Sequence, residues 1–502
     1  MSGALTFLIF LPVLAALPLL FEKNAKIVRW LAAFITLCEL VVCLILYWLR
    51  WHGMMFYGPD FLYLDHLWIP RFGIHYALMM DGVSLLLATL TAFLFLLSVL
   101  ASWNQVKERV ALFHCMLLFL ETGIMGVFLS ADLFLFYLFW EVMLIPMFFL
   151  IGIWGHGRRV YSAVKFFVFT ISGSLLMLLA IIGIYVLHGR QTGVYTFLLQ
   201  DLIHTTVSPG ISAALFLGFL LGFAVKVPLF PLHTWLPDAH TDAPTAGSVI
   251  LAGLLLKTGA YGLLRVAFPL FPHAGRAFLP LIFTIAVIGM FYASWVALAQ
   301  KDMKRLIAYS SVSHLAYVVL GIAVWNEVSL AGSVLQMVNH GITTGALFIM
   351  VGMMDERMHT HEMSAYGGLW SQAPGLSAFF LFFVLSSLGL PGLNNFAGEF
   401  LILTGLFRAH PYLCAAGFLG MVSTLIYLLS LAQKVLFGPR KDYSATGFSD
   451  LSGRELAVLI PLAILVVFIG VYPSILLRVL DMPVKDMVNA VSLSAYAGRG
   501  AP

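Results

Sequence analysis

Charge is scarce in this sequence. Of 502 residues only 10% are Asp, Glu, Lys or Arg. Water-soluble domains carry roughly 25%, so these few cannot clothe a surface of this size in water. That shortage sets aside ordinary soluble enzymes and charge-rich disordered chains. The net charge of +4 is small and dispersed, with no basic patch to take a nucleic acid. Cysteine is scarce as well. Cys38, Cys43, Cys115 and Cys414 all lie in apolar runs, and no two form C-x-x-C. A disulfide framework, a zinc site and an iron–sulfur site are therefore excluded. G-x-G-x-x-G and the P-loop are missing too, so no nucleotide site is expected.

What is abundant is apolar length, with 61% of the residues hydrophobic. A spanning helix takes about 20 of them. Fourteen windows qualify: 2–21, 27–49, 81–103, 109–130, 131–151, 160–188, 211–236, 244–268, 278–300, 305–325, 329–353, 377–407, 411–437 and 454–479. Ala15-Ala16-Leu17-Pro18 imitates a cleavage site, but no Lys or Arg precedes Lys23, so the first window reads as a retained helix. The expected class is an all-α polytopic membrane protein in a lipid bilayer. An even number of spans puts both termini on one side. Lys and Arg concentrate in alternate connections, among them Lys23, Lys107, Arg158, Lys301, Lys304, Arg357 and Lys434. Those connections are expected in the cytoplasm and the termini outside.

Ionisable groups inside the spans are the exceptions that need a reason, since each costs about 2.5–3.5 kcal/mol or more at mid-bilayer. They are Glu141, Lys226, Lys257, His314, His340 and Glu399, with Glu39 and Glu121 framed by no motif and read as structural. Glu141 paired with Lys226 would lower the cost of both. Two windows are interrupted. The seventh contains Lys226-Val227-Pro228-Leu229-Phe230-Pro231-Leu232-His233, whose prolines free the carbonyls of Ala224 and Val227. The twelfth contains Leu390-Pro391-Gly392-Leu393-Asn394-Asn395 shortly before Glu399. Unwound backbone is tolerated at that depth only inside protein or along a wet cavity. The breaks are five spans apart, an odd number, so the units that carry them have opposite orientations. Helices 4–8 and 9–13 are thus expected to form two inverted five-helix repeats, a pattern that marks ion pathways. The expected division is 1–108 (helices 1–3), 109–270 (first repeat), 271–437 (second repeat) and 438–502 (helix 14 and tail). Lys and Glu whose charge depends on a movable partner, joined by His, make a proton path. The order expected is Glu141 biasing Lys226, then water or His233, then Lys257, His314, His340 and Glu399. Asp238 and His240, at a helix end, read as loop-fixing.

Several stretches carry a family resemblance. They are Phe139-Trp140-Glu141-Val142-Met143-Leu144-Ile145-Pro146, the run from Pro231 to Gly262, Lys304-Arg305 through His314-Leu315-Ala316-Tyr317, and Leu390-Pro391-Gly392 through Gly398-Glu399-Phe400. Together they resemble the antiporter-like membrane subunits of respiratory complex I, relatives of multisubunit sodium/proton antiporters. The resemblance covers nearly the whole chain. It implies a proton channel of two inverted five-helix units with helices 7 and 12 broken. It matches Glu141 to the acid partnering the helix-seven lysine, Lys226 to that lysine, and His233 to the histidine after the break. Lys257 matches the central lysine of helix eight, His314 and His340 the polar links, and Glu399 the exit acid of helix twelve. Some members carry Lys at that last place. Longer members add a lateral amphipathic helix after span 14, for which the short tail here leaves no room. The resemblance also implies that flavin, iron–sulfur clusters and quinone belong to partner subunits, with no cofactor or metal in this chain. It implies flanking L-type and N-type antiporter-like subunits and a bacterial inner membrane. The alternative it leaves open is a subunit of a sodium/proton antiporter.

Overall fold

The chain's architecture follows from the bilayer rule that every backbone N–H and C=O must be paired within the protein. A computed structural model describes residues 3–53, 62–441, 443 and 448–497. The helices are α1 (Gly3–Leu19), α2 (Ala25–Trp51), α3 (Gly82–Ala101), α4 (Val110–Leu129), α5 (Leu133–Val142), α6 (Leu144–Trp154) and α7 (Arg159–Thr192). They continue with α8 (Pro209–Lys226), α9 (Trp235–Asp242), α10 (Thr245–Leu270), α11 (Leu279–Leu298), α12 (Met303–Val324) and α13 (Glu327–Met358). The last are α14 (Pro374–Ser387), α15 (Asn394–Ala409), α16 (Pro411–Leu436), α17 (Gly453–Val471) and α18 (Ser474–Ala497). Among the described residues, 12 spans are long and apolar enough to cross a membrane, α5 and α6 together forming one of them. The short helix α1 and the interrupted pair α14/α15 occupy the other two expected windows. The protein is a multi-pass membrane protein.

Burial sorts the spans into two kinds. Within their most apolar stretches α13 is wholly buried and α10 is 94% buried, while α16 is only 28% and α17 33%. The first two are therefore axial helices and the last two are peripheral, with broad exposed apolar faces. Outward-facing residues such as Phe34, Leu179, Phe407 and Ile464 are large and apolar, as hydrocarbon contact requires.

Both interrupted windows are real breaks, and local donors repair each one. After α8 the carbonyl of Ala224 accepts from the Leu229 N–H at 2.9 Å, and that of Val225 from the Trp235 indole at 3.0 Å. Ala224 is thus not left open as the proline argument expects, because a wider turn recaptures it. Between α14 and α15, Asn394 Oδ1 accepts from the Ser386 hydroxyl at 2.7 Å and from Thr343 at 3.2 Å. Asn395 Nδ2 donates to the Ser386 carbonyl at 3.0 Å, and Asn339 Nδ2 to the Asn394 carbonyl at 2.6 Å. A span that looks continuous in hydropathy is here two helices held end to end by amide side chains.

Two features were not legible in the hydropathy pattern. Residues 62–80 form an antiparallel hairpin, β1 (Leu62–Ile69) and β2 (Ile74–Met80), pairing Leu62 with Met80 and His66 with Tyr76. The tail, expected too short for a lateral helix, is the 24-residue helix α18, separated from α17 by a break at Tyr472-Pro473. It docks on the ends of α3 and α13, on the face from which α1 and α3 start, hereafter the terminal face. Docking is close. A Cβ at Gly82 would lie 2.0 Å from the Val479 carbonyl oxygen.

Gly82→Ala is therefore expected to lift α18 from the terminal face. In membranes, a protease should then cut at Lys485 several-fold faster than in the parent chain. An unchanged cleavage rate would show that α18 is not held through this contact.

Candidate functional site

The buried ionisable groups form an axis through the bundle, and its best-defined part is a continuous chain of side chains on four helices. Lys257 is fully buried on α10. That helix contains two stretches of π-helix, Leu251–Leu255 and Leu263–Ala267, flanking the lysine. Such wide turns gather at functional sites because they redirect side chains and leave carbonyls exposed. Here the Ala252 carbonyl accepts from Lys257 Nζ at 2.5 Å. Lys257 Nζ also lies 2.7 Å from His340 Nδ1 on α13. With the lysine charged, that nitrogen is the acceptor, so the imidazole proton sits on Nε2.

The His340 ring lies 5.6 Å from that of His314 on α12, centroid to centroid. His314 Nδ1 is 3.0 Å from Glu399 Oε1 on α15, with both residues 2% exposed. The Nε2 atoms of both histidines have no hydrogen-bond partner in the protein. Glu399 Oε1 also accepts from Gln336 Nε2 at 3.1 Å. Gly389, in the break before α15, has φ +78, and a Cβ there would sit 2.9 Å from Glu399 Oε2. The break thus places a backbone without side chain against the acid. The order read from space is Lys257, His340, His314, Glu399. The two histidines come in the reverse of their sequence order.

The other half of the axis is looser. Lys226 caps the end of α8 and is 1% exposed, yet its Nζ has no hydrogen-bond partner. It lies over the rings of Trp140 and Phe166, at 5.5 and 5.6 Å. Glu141 acts on it electrostatically, but no ion pair closes between them among the described residues. Glu141 stands one residue before the end of α5, where Met143 interrupts the span. His233, after the α8 break, packs against Phe230, Tyr292 and Tyr309, and neither ring nitrogen is bonded. The structure therefore does not join Lys226, His233 and Lys257 by direct bonds.

Three groups stand differently from their sequence reading or beyond it. Asp238, expected to fix a loop, instead sits inside α9 and ties it to α7 and α12, accepting from Lys165 at 2.6 Å and Arg305 at 3.1 Å. His240 is instead fully buried, stacked on Phe348 at 4.6 Å, with both nitrogens unbonded. It stands within electrostatic reach of Lys304 on one side and Lys257 on the other. Its neighbour Asp238 gave the motif a structural explanation, which hid it. Glu39 on α2 and Glu121 on α4 are both fully buried and face one another. None of their four oxygens has a donor. No signal along the chain could pair residues that far apart. No group of three or more His, Cys, Asp or Glu able to hold a metal occurs among the described residues.

The arrangement holds charge where hydrocarbon disfavours it and offers neighbouring lone pairs and N–H groups between which a proton can step. Comparisons with known proteins agree with that chemistry. The family described as NADH:quinone oxidoreductase/Mrp antiporter, transmembrane, matches residues 130–426. NADH-quinone oxidoreductase subunit M of Pseudomonas aeruginosa is 48% identical over 444 residues, 86% of each chain. A chain of respiratory complex I from Thermus thermophilus superposes with a TM-score of 0.88 at 31% identity, covering 97% of this chain and 99% of that one. A chain of the Mrp complex from Dietzia sp. DQ12-45-1b shares the fold, with a TM-score of 0.84 at 19% identity over 98% of this chain and 99% of that one.

Lys226 Nζ has no hydrogen bond to lose, so Lys226→Met gives up only its ring contacts and the attraction of Glu141 while it removes the cost of a buried charge. Thermal unfolding of the assembled protein should occur at the same temperature or higher. A fall of several degrees would reveal a stabilising role that the geometry does not contain.

Proposed function

Because the chain belongs to the NADH:quinone oxidoreductase/Mrp antiporter family, we propose that it translocates protons as a membrane-arm subunit of an NADH:quinone oxidoreductase. The observation that carries the reading is the run Lys257–His340–His314–Glu399, bonded at both ends and buried along its length. No redox step takes place in this chain. Flavin, iron–sulfur clusters and quinone sit in partner subunits, and quinone reduction there drives the proton movement here. L-type and N-type antiporter-like subunits flank it. It resides in a bacterial inner membrane with both termini on the periplasmic side, which the Lys and Arg distribution supports.

In this reading the units 109–270 and 271–437 are the two inverted repeats, each contributing one broken span. Lys226 is the switching lysine, and Trp140 and Phe166 hold it poised without an ion pair. When Glu141 closes on Lys226 the ammonium is stabilised; when it withdraws, burial favours release of the proton. That proton reaches Lys257, with His233 as the group nearest the break. From Lys257 Nζ it passes to His340 Nδ1 while His340 releases the proton on Nε2 towards His314, and His314 Nδ1 delivers one to Glu399. Each transfer between nitrogens breaks one N–H bond as it forms another, the last breaks an N–H bond as it forms the O–H of Glu399, and the imidazoles end neutral. Glu399, held by Gln336, is the acid that releases it. Sodium/proton exchange is the second reading, supported by the Mrp antiporters that the matched family also includes.

Lys257→Ala, His314→Ala and Glu399→Gln test the relay in the assembled complex. Proton uptake into inverted vesicles, read by a pH-sensitive dye during NADH oxidation, should fall by more than half in each, with assembly intact on a native gel. Full pumping by assembled Lys257→Ala would defeat the proposal. Pumping that scales with sodium at fixed pH would favour the second reading.

A further inference from the structure

The relay leaves unused a second set of polar groups, which begins one turn beyond the same lysine on α10 and leads towards the terminal face; the Lys257 ammonium, bonded to the Ala252 carbonyl, must turn towards Tyr261 to reach it. On α10, Lys257, Tyr261 and Arg265 follow at intervals of four, each step on the order of 6 Å along the axis. Tyr261 is 1% exposed. Its hydroxyl lies 3.1 Å from Ser84 Oγ on α3 and 3.0 Å from the Phe128 carbonyl on α4, and it is also in contact with the Arg265 side chain. Arg265 Nη2 is 2.7 Å from Asp81 Oδ2, the acid being 2% exposed and the arginine 14%. Asp81 caps α3 through its other oxygen, which accepts from the Ser84 N–H at 2.9 Å. Beyond the ion pair lies a pocket at the terminal face, lined by Tyr63, Met79, Gln200 and Asp486 as well as Asp81 and Arg265. The hairpin and α18 provide its walls.

Apolar packing needs none of this. The first turn of α3 and the last turns of α10 could be filled with Leu, as their neighbours are, yet they carry two hydroxyls, an acid and a base in sequence. We propose that this is a gated proton connection between Lys257 and the terminal face, independent of His340 and Glu399, whose gate is the Arg265–Asp81 ion pair. The hydroxyls of Tyr261 and Ser84 relay: Tyr261 turns its proton from the Phe128 carbonyl to Ser84, and each hydroxyl accepts a proton on a lone pair and gives up its own. While Arg265 holds Asp81, both carboxylate oxygens are occupied and the path is closed. When the guanidinium swings into the pocket, Oδ2 accepts the proton from Ser84 and releases it to water in the pocket. Charge is conserved, since the carboxylate ends as it began. The proposal rests on the proton-translocation reading, and it adds an outlet on the first half of the chain to the one at Glu399.

The test uses the complete complex reconstituted in vesicles, without NADH, under an imposed pH gradient. Arg265→Ala should raise the passive proton leak several-fold. Tyr261→Phe added to Arg265→Ala should return the leak to the parent level, as should Lys257→Ala, while Arg265→Lys should keep it low. A tight membrane with assembled Arg265→Ala would overturn the proposal. So would a leak indifferent to Tyr261→Phe, since protons would then cross elsewhere. The leak is read without turnover, so failure of the pump reading is a separate result, seen as full pumping by Lys257→Ala.

Discussion

The interior of this protein is organised around the cost of keeping the Lys257 ammonium in hydrocarbon. Burying a cation without hydrogen-bond partners is costly. Here a wide turn of α10 presents the Ala252 carbonyl, and α13 presents His340. Both axial helices are almost wholly buried, because only protein, and not lipid, can supply such partners. The peripheral helices α16 and α17 can then be plain apolar rods. The same requirement explains the amide cluster of Asn339, Asn394 and Asn395, which pairs the backbone where α14 ends and α15 begins.

Against that well-paired centre, the under-paired groups carry meaning. Lys226 Nζ, both nitrogens of His233 and of His240, and the Nε2 atoms of His314 and His340 have no hydrogen-bond partner. Fully satisfied networks hold still, whereas a proton carrier needs an open lone pair or a free N–H to receive or release its charge. These groups also connect the two sides of the axis. Hydrogen bonds tie Lys257 to His340 and His314 to Glu399, with the two imidazoles in ring contact between them, and electrostatic reach alone joins Glu141 to Lys226. Motion is therefore required on the Glu141 side, where the α5–α6 interruption at Met143 and the α8 break supply places for it.

Much of this was legible in the sequence, and for one reason: the scarcity of charge. With 10% charged residues, each mid-span Lys or Glu stands out, and Pro-Gly or Asn-Asn inside an apolar run has no other explanation than a break. The windows for fourteen spans correspond to helices in the structure, and both breaks occur where the prolines place them. Hydropathy could not show that residues 62–80 form a hairpin, because alternate positions there face protein and surface unevenly. Nor could it show that the tail continues as α18, whose docking depends on Gly82 at another helix end.

Sequence alone thus determined which residues are ionisable at depth, how many spans surround them and where two of those spans are interrupted, because those properties are written in local composition. Tertiary structure decided the neighbours. It put His340 rather than His314 on Lys257, brought Glu39 against Glu121, turned His240 inward, and set Asp81 on Arg265. Each of these depends on the rotation of one helix against another. A few tens of degrees of rotation exchange one neighbour for the next, and periodicity along a uniformly apolar helix carries no record of that angle.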